Sequence, residues 1–327
     1  MRVPRPQGAR LADGLAGLLL LIPMVFWALA QVHDPQLKTP LPVWFWWGVV
    51  GIWAFSSFVV VRLASEPSPS RTGQRILDLF IPVAFGICVL FLWEVITIGA
   101  GVPKVLMPSP SAIAARLATA QAVLSADFEQ TVLKEVLPGW FIGSGAGFLI
   151  ALVCDRVPFL ARGLLPIGNF VSALPMIGVA PIMVMWFGFD WPSKVAIVVI
   201  MTFFPALVNS VAGLAAAGKL ERDLMRSYGA GFAATLLKLR LPAALPFIFN
   251  ALKINSTLAM IGAIVAEFFG SPTVGMGFRI STEVGRSNLD MVWAEITMAA
   301  ITGSIFYGVL ALAERLATFW HPSYRKR

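Results

Sequence analysis

Charge is what this sequence has least of: Asp, Glu, Lys and Arg make up 13% of its 327 residues, where an ordinary soluble domain carries about a quarter. Cysteine and histidine are scarcer still, at two residues each. Cys88 and Cys154 sit in or at the ends of apolar runs, with no spacing that fits a disulfide framework, zinc site or redox pair, so they read as small buried hydrophobes. His33 and His321 lie in a loop and a tail; no His-Glu-x-x-His occurs and no serine sits in a nucleophile elbow, so no catalytic set forms. The net charge of +8 has the sign that nucleic acid attracts. Its basic residues, however, are scattered between apolar runs without an aromatic-basic recognition motif, which excludes a nucleic-acid partner.

What the chain does have is length of apolar sequence, with 58% hydrophobic residues. Crossing a hydrocarbon core of about 30 Å takes about 20 mostly apolar residues. Eight segments qualify: Leu15 to Gln31, Val43 to Val61, Leu77 to Ile98, Val136 to Cys154, Leu164 to Phe187, Lys194 to Ala215, Phe247 to Phe268 and Val292 to Ala313. The expected fold class is therefore an all-α polytopic membrane protein. Arg2, Arg5 and Arg10 before an apolar run ending in Ala28-Leu29-Ala30 also fit the outline of a cleavable signal peptide; the short polar gap to the next run favours a retained anchor. Placing both termini in the cytoplasm puts most of the 25 Lys and Arg residues in the inner segments, as the positive-inside rule requires. Lys194, Arg279 and Arg286 then fall outside.

The segments between the spans divide the chain. Ser65-Glu66-Pro67-Ser68-Pro69-Ser70 reads as a linker, giving expected divisions at 1–64 (two extra helices), 65–75 (cytoplasmic linker), 76–319 (a six-helix core) and 320–327 (cytoplasmic tail). Gly99 to Glu135 is too polar to span and is expected to form a turn and a short surface helix over Ala112 to Leu124, capped by Ser109 or Ser111.

The one long charge-bearing segment caught between apolar runs is Leu220 to Pro246. On a helix, Leu220, Leu224 and Tyr228 share a stripe, Arg222 and Arg226 form a polar row beside it, and Asp223 is placed to pair with Arg226. Gly229 can end this helix by adopting the left-handed conformation, and Pro242 can start the next one. The spacing from Asp223-Leu224-Met225 through Gly229 to Leu239, Leu241 and Pro242 resembles the coupling loop of binding-protein-dependent ABC importer permeases. That pattern reads Glu-Ala-Ala, three residues, Gly, nine residues, Ile, one residue, Leu-Pro. Asp223-Leu224-Met225 here stands for Glu-Ala-Ala and Leu239 for Ile. Pro108-Ser109-Pro110-Ser111, the Leu137 to Gly147 run, Leu174-Pro175, Trp186-Phe187-Gly188, Ala266-Glu267-Phe268-Phe269-Gly270 and Gly275-Met276-Gly277 resemble the branch serving nitrate, sulfonate, taurine and related solutes. The resemblance covers Ile76 to Phe319 and leaves the first two helices without a counterpart.

The resemblance implies the type I ABC importer permease fold, with a six-helix core and two extra N-terminal transmembrane helices, in the bacterial inner membrane. It implies a permease subunit, not an enzyme, that forms the solute pathway. Its partners would be separate ABC ATPase subunits, a periplasmic solute-binding protein, a second permease subunit forming a homodimer, and membrane lipid. It places the coupling loop at 216–246, with Asp223, Leu224, Met225, Arg226, Tyr228, Gly229, Leu241 and Pro242 as the ATPase-coupling residues. A membrane-embedded enzyme and a passive channel are the alternatives. The solute stays open among sulfonate, nitrate, taurine, pyrimidine and flavin-like molecules.

Three further motifs bear on function. Gly213 to Lys219 fits the first seven positions of a phosphate-binding P-loop, but the eighth is Leu220, which has no hydroxyl for magnesium. No cofactor is expected, ATP being handled by partner subunits. Gly139, Gly143 and Gly147 bare one helix face for close approach by a neighbouring helix, in this chain or in a second subunit. Asn250, Lys253 and Thr257, flanked by Ser256, form a polar stripe that can line a solute pathway; Lys253 can equally snorkel to the interface. Glu94 and Glu267, near outer helix ends, are expected to be wetted.

Overall fold

The computed structural model describes residues 7–34, 39–64, 71–172, 174–270 and 273–319, and no strand occurs among the described residues. The helices are α1 Gln7–Val32, α2 Val43–Ala64, α3 Arg71–Gly99, α4 Pro110–Thr119, α5 Gln121–Arg156, α6 Pro158–Ser172, α7 Met176–Phe187, α8 Trp191–Ala215, α9 Lys219–Ser227, α10 Phe232–Glu267, α11 Met276–Gly285 and α12 Leu289–Ala317. Among the described residues α2, α3, α5, α8, α10 and α12 are long and apolar enough to cross a membrane, whereas α1 contributes a shorter apolar stretch, Leu19–Val32.

Three boundaries differ from the sequence expectation. The span expected from Leu164 to Phe187 is two helices. Proline has no N–H to give a helix ladder, and Pro175 is extended (φ −70°, ψ 106°) at the start of α7; Gly188, at φ +85°, ends it. The span expected from Val136 begins at Gln121, and the helix expected to start at Pro242 begins at Phe232. Both extensions pass through a π-helical stretch, Glu129–Val136 and Leu236–Arg240. Each stretch lies just before a proline, Pro138 or Pro242. The wider turn relieves the clash between a proline ring and the carbonyl four residues back, so the helix continues where the sequence suggested a start. The Ser65 to Ser70 linker, the tail from residue 320, and Arg2 and Arg5 lie outside the described residues.

The chain divides into two compact units, Met1–Ala118 with Ser287–Asp290, and Thr119–Arg286 with Met291–Arg327. In the first, α1, α2 and α3 share a core that includes Ala28, Phe45, Val49, Ile52, Phe91 and Val95. At Gly17 an added Cβ would lie 2.7 Å from Val59 Cγ2, so α1 and α2 approach closely there. Glu94 is buried rather than wetted. Its Oε2 accepts from the Ser111 N–H at 2.9 Å and its Oε1 lies 3.1 Å from His33 Nε2. Ser109 Oγ accepts from the Ala112 N–H at 3.3 Å, which makes it the α4 cap.

In the second unit α8 is the central post. The bare glycine face of α5 lies on it: a Cβ at Gly143 would meet Thr202 Oγ1 at 2.0 Å, and one at Gly147 would meet the Phe203 carbonyl oxygen at 2.4 Å. The glycine stripe therefore serves packing within the chain. Asn255 of α10 closes the same seam, donating from Nδ2 to Ser144 Oγ at 2.9 Å and to the Thr202 carbonyl at 2.7 Å. Leu160 and Leu164 of α6 pack near Phe203, Phe204 and Val211, toward the α9 end of α8. Ala180 and Met183 of α7 pack near Ile197, toward the opposite end. The two halves of the broken helix thus follow different stretches of one neighbour.

Candidate coupling loop and solute pathway

Helix α9 has no buried residue. Leu220, Leu224 and Tyr228 are 82%, 56% and 81% exposed, an apolar stripe left largely open among the described residues. Arg222 Nε reaches back to the Gly218 carbonyl at 3.3 Å. Asp223 and Arg226, placed by spacing to pair, form no ion pair among the described residues; both are exposed, and two solvated side chains gain too little to hold one geometry. Met225 is half-buried. The C-terminal stop follows the expectation. Gly229 is left-handed at φ +69°, its N–H bonds to Arg226 O at 2.9 Å, and the Ala230 N–H bonds to Met225 O at 2.9 Å. This pair of bonds is the Schellman arrangement. Leu241 and Pro242 lie half-buried within α10, after its π turn.

The expected polar stripe of α10 does not act as one surface. Lys253 Nζ bonds Glu314 Oε2 of α12 at 2.6 Å, with the side chains 16% and 9% exposed, and lies 6.0 Å from the Tyr307 ring centre. Lys253 is thus paired with a carboxylate in the last turns of α12. Ser256 is fully buried and donates to the Lys253 carbonyl at 2.7 Å. Asn250 Nδ2 lies 3.5 Å from Asn209 Oδ1. Thr257 is exposed and lines a cavity of about 600 Å³ between α10 and α12, with Met260, Ile264, Ala299, Ser304 and Tyr307 among its other walls. The cavity is almost wholly apolar, and its hydroxyls come from Thr257, Ser304 and Tyr307.

At the end of the second unit away from α9, buried polar groups pin the turn that leads into α11. Glu267, expected to be wetted, is 1% exposed. It accepts from Thr131 Oγ1 at 2.7 Å and from the Gly277 N–H at 2.5 Å. Thr131 accepts from the Met276 N–H at 2.8 Å, and Asp127 from the Gly275 N–H at 2.7 Å. Arg279 Nε donates to Asp127 Oδ2 at 2.8 Å, and that bond raises the guanidinium pKa above its already high value. Lys194, counted among the outer charges, is fully buried and donates to the carbonyls of Phe189 and Asp190. A buried charge holds its place only when such partners surround it.

Residues 143–326 match the family described as binding-protein-dependent transport system inner membrane component. The chain belongs to this family. Similar proteins include the "Probable ABC transporter permease protein" of Haemophilus influenzae, 30% identical over 69% of this chain and 92% of its own length. The formylaminopyrimidine transport permease protein ThiX of Halalkalibacterium halodurans is 28% identical over 76% of this chain and 98% of its own. The taurine transport system permease protein TauC of Escherichia coli (strain K12) is 28% identical over 70% and 85%. The chain is thus a multi-pass inner-membrane permease subunit of the nitrate, sulfonate and taurine branch, a transporter component without its own ATP site. Its fold is the permease core carrying additional N-terminal helices.

Asp155, Arg156, Arg240 and Glu314 take part in this architecture and escaped the sequence reading. Glu314 was legible as a carboxylate inside an apolar run. Asp155 and Arg240 are 85 residues apart, and spacing within one helix says nothing of such a pair.

Proposed function

We propose that this permease forms an ATP-driven import pathway and receives the work of separate ATPase subunits through α9. The observation that carries the reading is the uncovered stripe of Leu220, Leu224 and Tyr228 on a helix held clear of its own bundle. An apolar stripe with a charged rim is what a hydrophobic groove on a partner takes up. Asp223, Leu224, Met225, Arg226, Tyr228 and Gly229 form the contact, and Leu241 and Pro242 the re-entry into the bundle. ATP is hydrolysed by the partners, so the subunit itself needs no cofactor. Two copies of the chain pair as a homodimer in membrane lipid with two ATPases, and a periplasmic binding protein delivers the solute. The division at 1–64, 65–75, 76–319 and 320–327 leaves the importer core in the third part. Both termini face the cytoplasm, so a reporter active only in the periplasm should work when fused at Asp190 and fail when fused at Arg327; the reverse pattern would invert the topology.

Asn250, Lys253, Ser256 and Thr257 remain the pathway candidates, with the Lys253–Glu314 pair as a gate that an anionic solute can open by competing for the ammonium. The names of the relatives favour small organic solutes such as taurine or a formylaminopyrimidine. The test is uptake of those two solutes into vesicles holding the complete complex. Uptake should require ATP and both partners. ATP-independent flux would make the chain a channel, and chemical turnover without the ATPase would make it an enzyme.

A further inference from the structure

Arg240 ends the π turn of α10 and fills the position between Leu239 and Leu241 for which the loop pattern specifies no residue type. Its Nη1 donates to Asp155 Oδ2 at 2.6 Å, and Nη2 donates to Asp155 Oδ1, a bidentate pair with both side chains 13% exposed. Its Nε and Nη2 also donate to the Leu214 carbonyl at 3.0 and 2.9 Å. Leu214 is in the last turn of α8 and Asp155 in the last turn of α5. A carbonyl there lacks a helical partner, and a carboxylate there opposes the helix dipole. One guanidinium satisfies the first and neutralises the second. Beside this pair, the Arg156 guanidinium lies 3.5 Å from the centre of the Phe232 ring, at the first residue of α10.

We infer that Arg240 is a positioning residue for energy transmission, joining the ends of α5, α8 and α10 so that a displacement of α9 moves all three together. The inference rests on the reading of α9 as the ATPase contact. Helix α9 has no buried residue and is joined to the bundle through its two connections, 216–218 to α8 and 228–231 to α10. A push on α9 therefore enters α10 at Phe232 and must cross Leu236–Arg240, a π turn. That turn is off the regular helical register. Arg240 closes it against two other helices, where the Asp155 carboxylate and the Leu214 carbonyl accept from its guanidinium in fixed directions.

The test uses the complete complex with its ATPase in lipid nanodiscs, Cys88 and Cys154 replaced by serine, and one fluorescent label at Lys219→Cys on α9 or at Trp186→Cys on α7. Magnesium ATP with orthovanadate is the probe. In the otherwise unmodified chain both labels should respond. Arg240→Lys keeps the charge but loses the fork, and Asp155→Asn keeps the shape but loses the charge. In both variants the response at 219 should persist while that at 186 falls at least fivefold. A full response at 186 in both variants would overturn the inference. So would failure of both to assemble with the ATPase, which would make the node merely structural. Silence at 219 in the unmodified chain would instead contradict the reading of α9 itself.

Discussion

Lys253 and Glu314 show how a membrane helix carries a charge. Each would cost roughly 2.5–3.5 kcal/mol at mid-bilayer on the lenient insertion scale, and their 2.6 Å contact offsets that cost. Removing one partner leaves the other uncompensated, which in buried pairs costs about 3–5 kcal/mol, whereas replacing both with apolar or neutral groups is often tolerated. Glu314→Gln should therefore lower the melting temperature of the purified subunit markedly, and Lys253→Met combined with Glu314→Gln should restore most of it. If the pair also gates the pathway, the double variant should remain stable yet transport abnormally. A double variant that melts as low as Glu314→Gln would show that the pair itself does not set the stability.

At the scale of the element, the α5–α8 seam is set by glycine. Gly143→Val should destabilise the protein by at least about 2 kcal/mol, since the new side chain would drive into Thr202 Oγ1 and the Val199 carbonyl. Gly145→Val, with nothing within 4 Å of the added Cβ, should be close to neutral. Equal melting of the two variants would refute the seam. The four-residue glycine spacing was legible in sequence; its partner was not, because a bare face fits a helix of this chain or of another. Apolar length located the long helices, and the left-handed turn at Gly229 followed from residue type. Pro175 broke a span that its apolar composition had joined, while Pro138 and Pro242 were absorbed by π turns that no local signal announces. Burial of Glu94, Glu267 and Lys194 was hidden for a related reason, since their partners Ser111, Thr131 and the Phe189 carbonyl become neighbours only through the fold.

At the scale of the whole molecule, each of the two units has its own features. The N-terminal unit has its own apolar core and an aromatic cluster of Trp27, Trp44, Phe45 and Trp46. The second unit carries the glycine seam, the Lys253–Glu314 pair, the pinned turn before α11 and, at its other end, α9. The central claim is that α9 is where ATPase motion enters. It is tested most directly by co-purification with the ATPase and ATP hydrolysis in three variants of the complete complex. Leu224→Ala removes a central anchor, commonly worth 2 kcal/mol or more at an interface, and should weaken co-purification at least about 30-fold. Arg222→Ala, at the rim, should matter little. Gly229→Val should be worst, because a β-branched side chain opposes the φ of +69° that turns the chain back toward α10. That ordering, with hydrolysis falling in step with assembly, is the predicted result; full assembly and full hydrolysis in all three variants would contradict it.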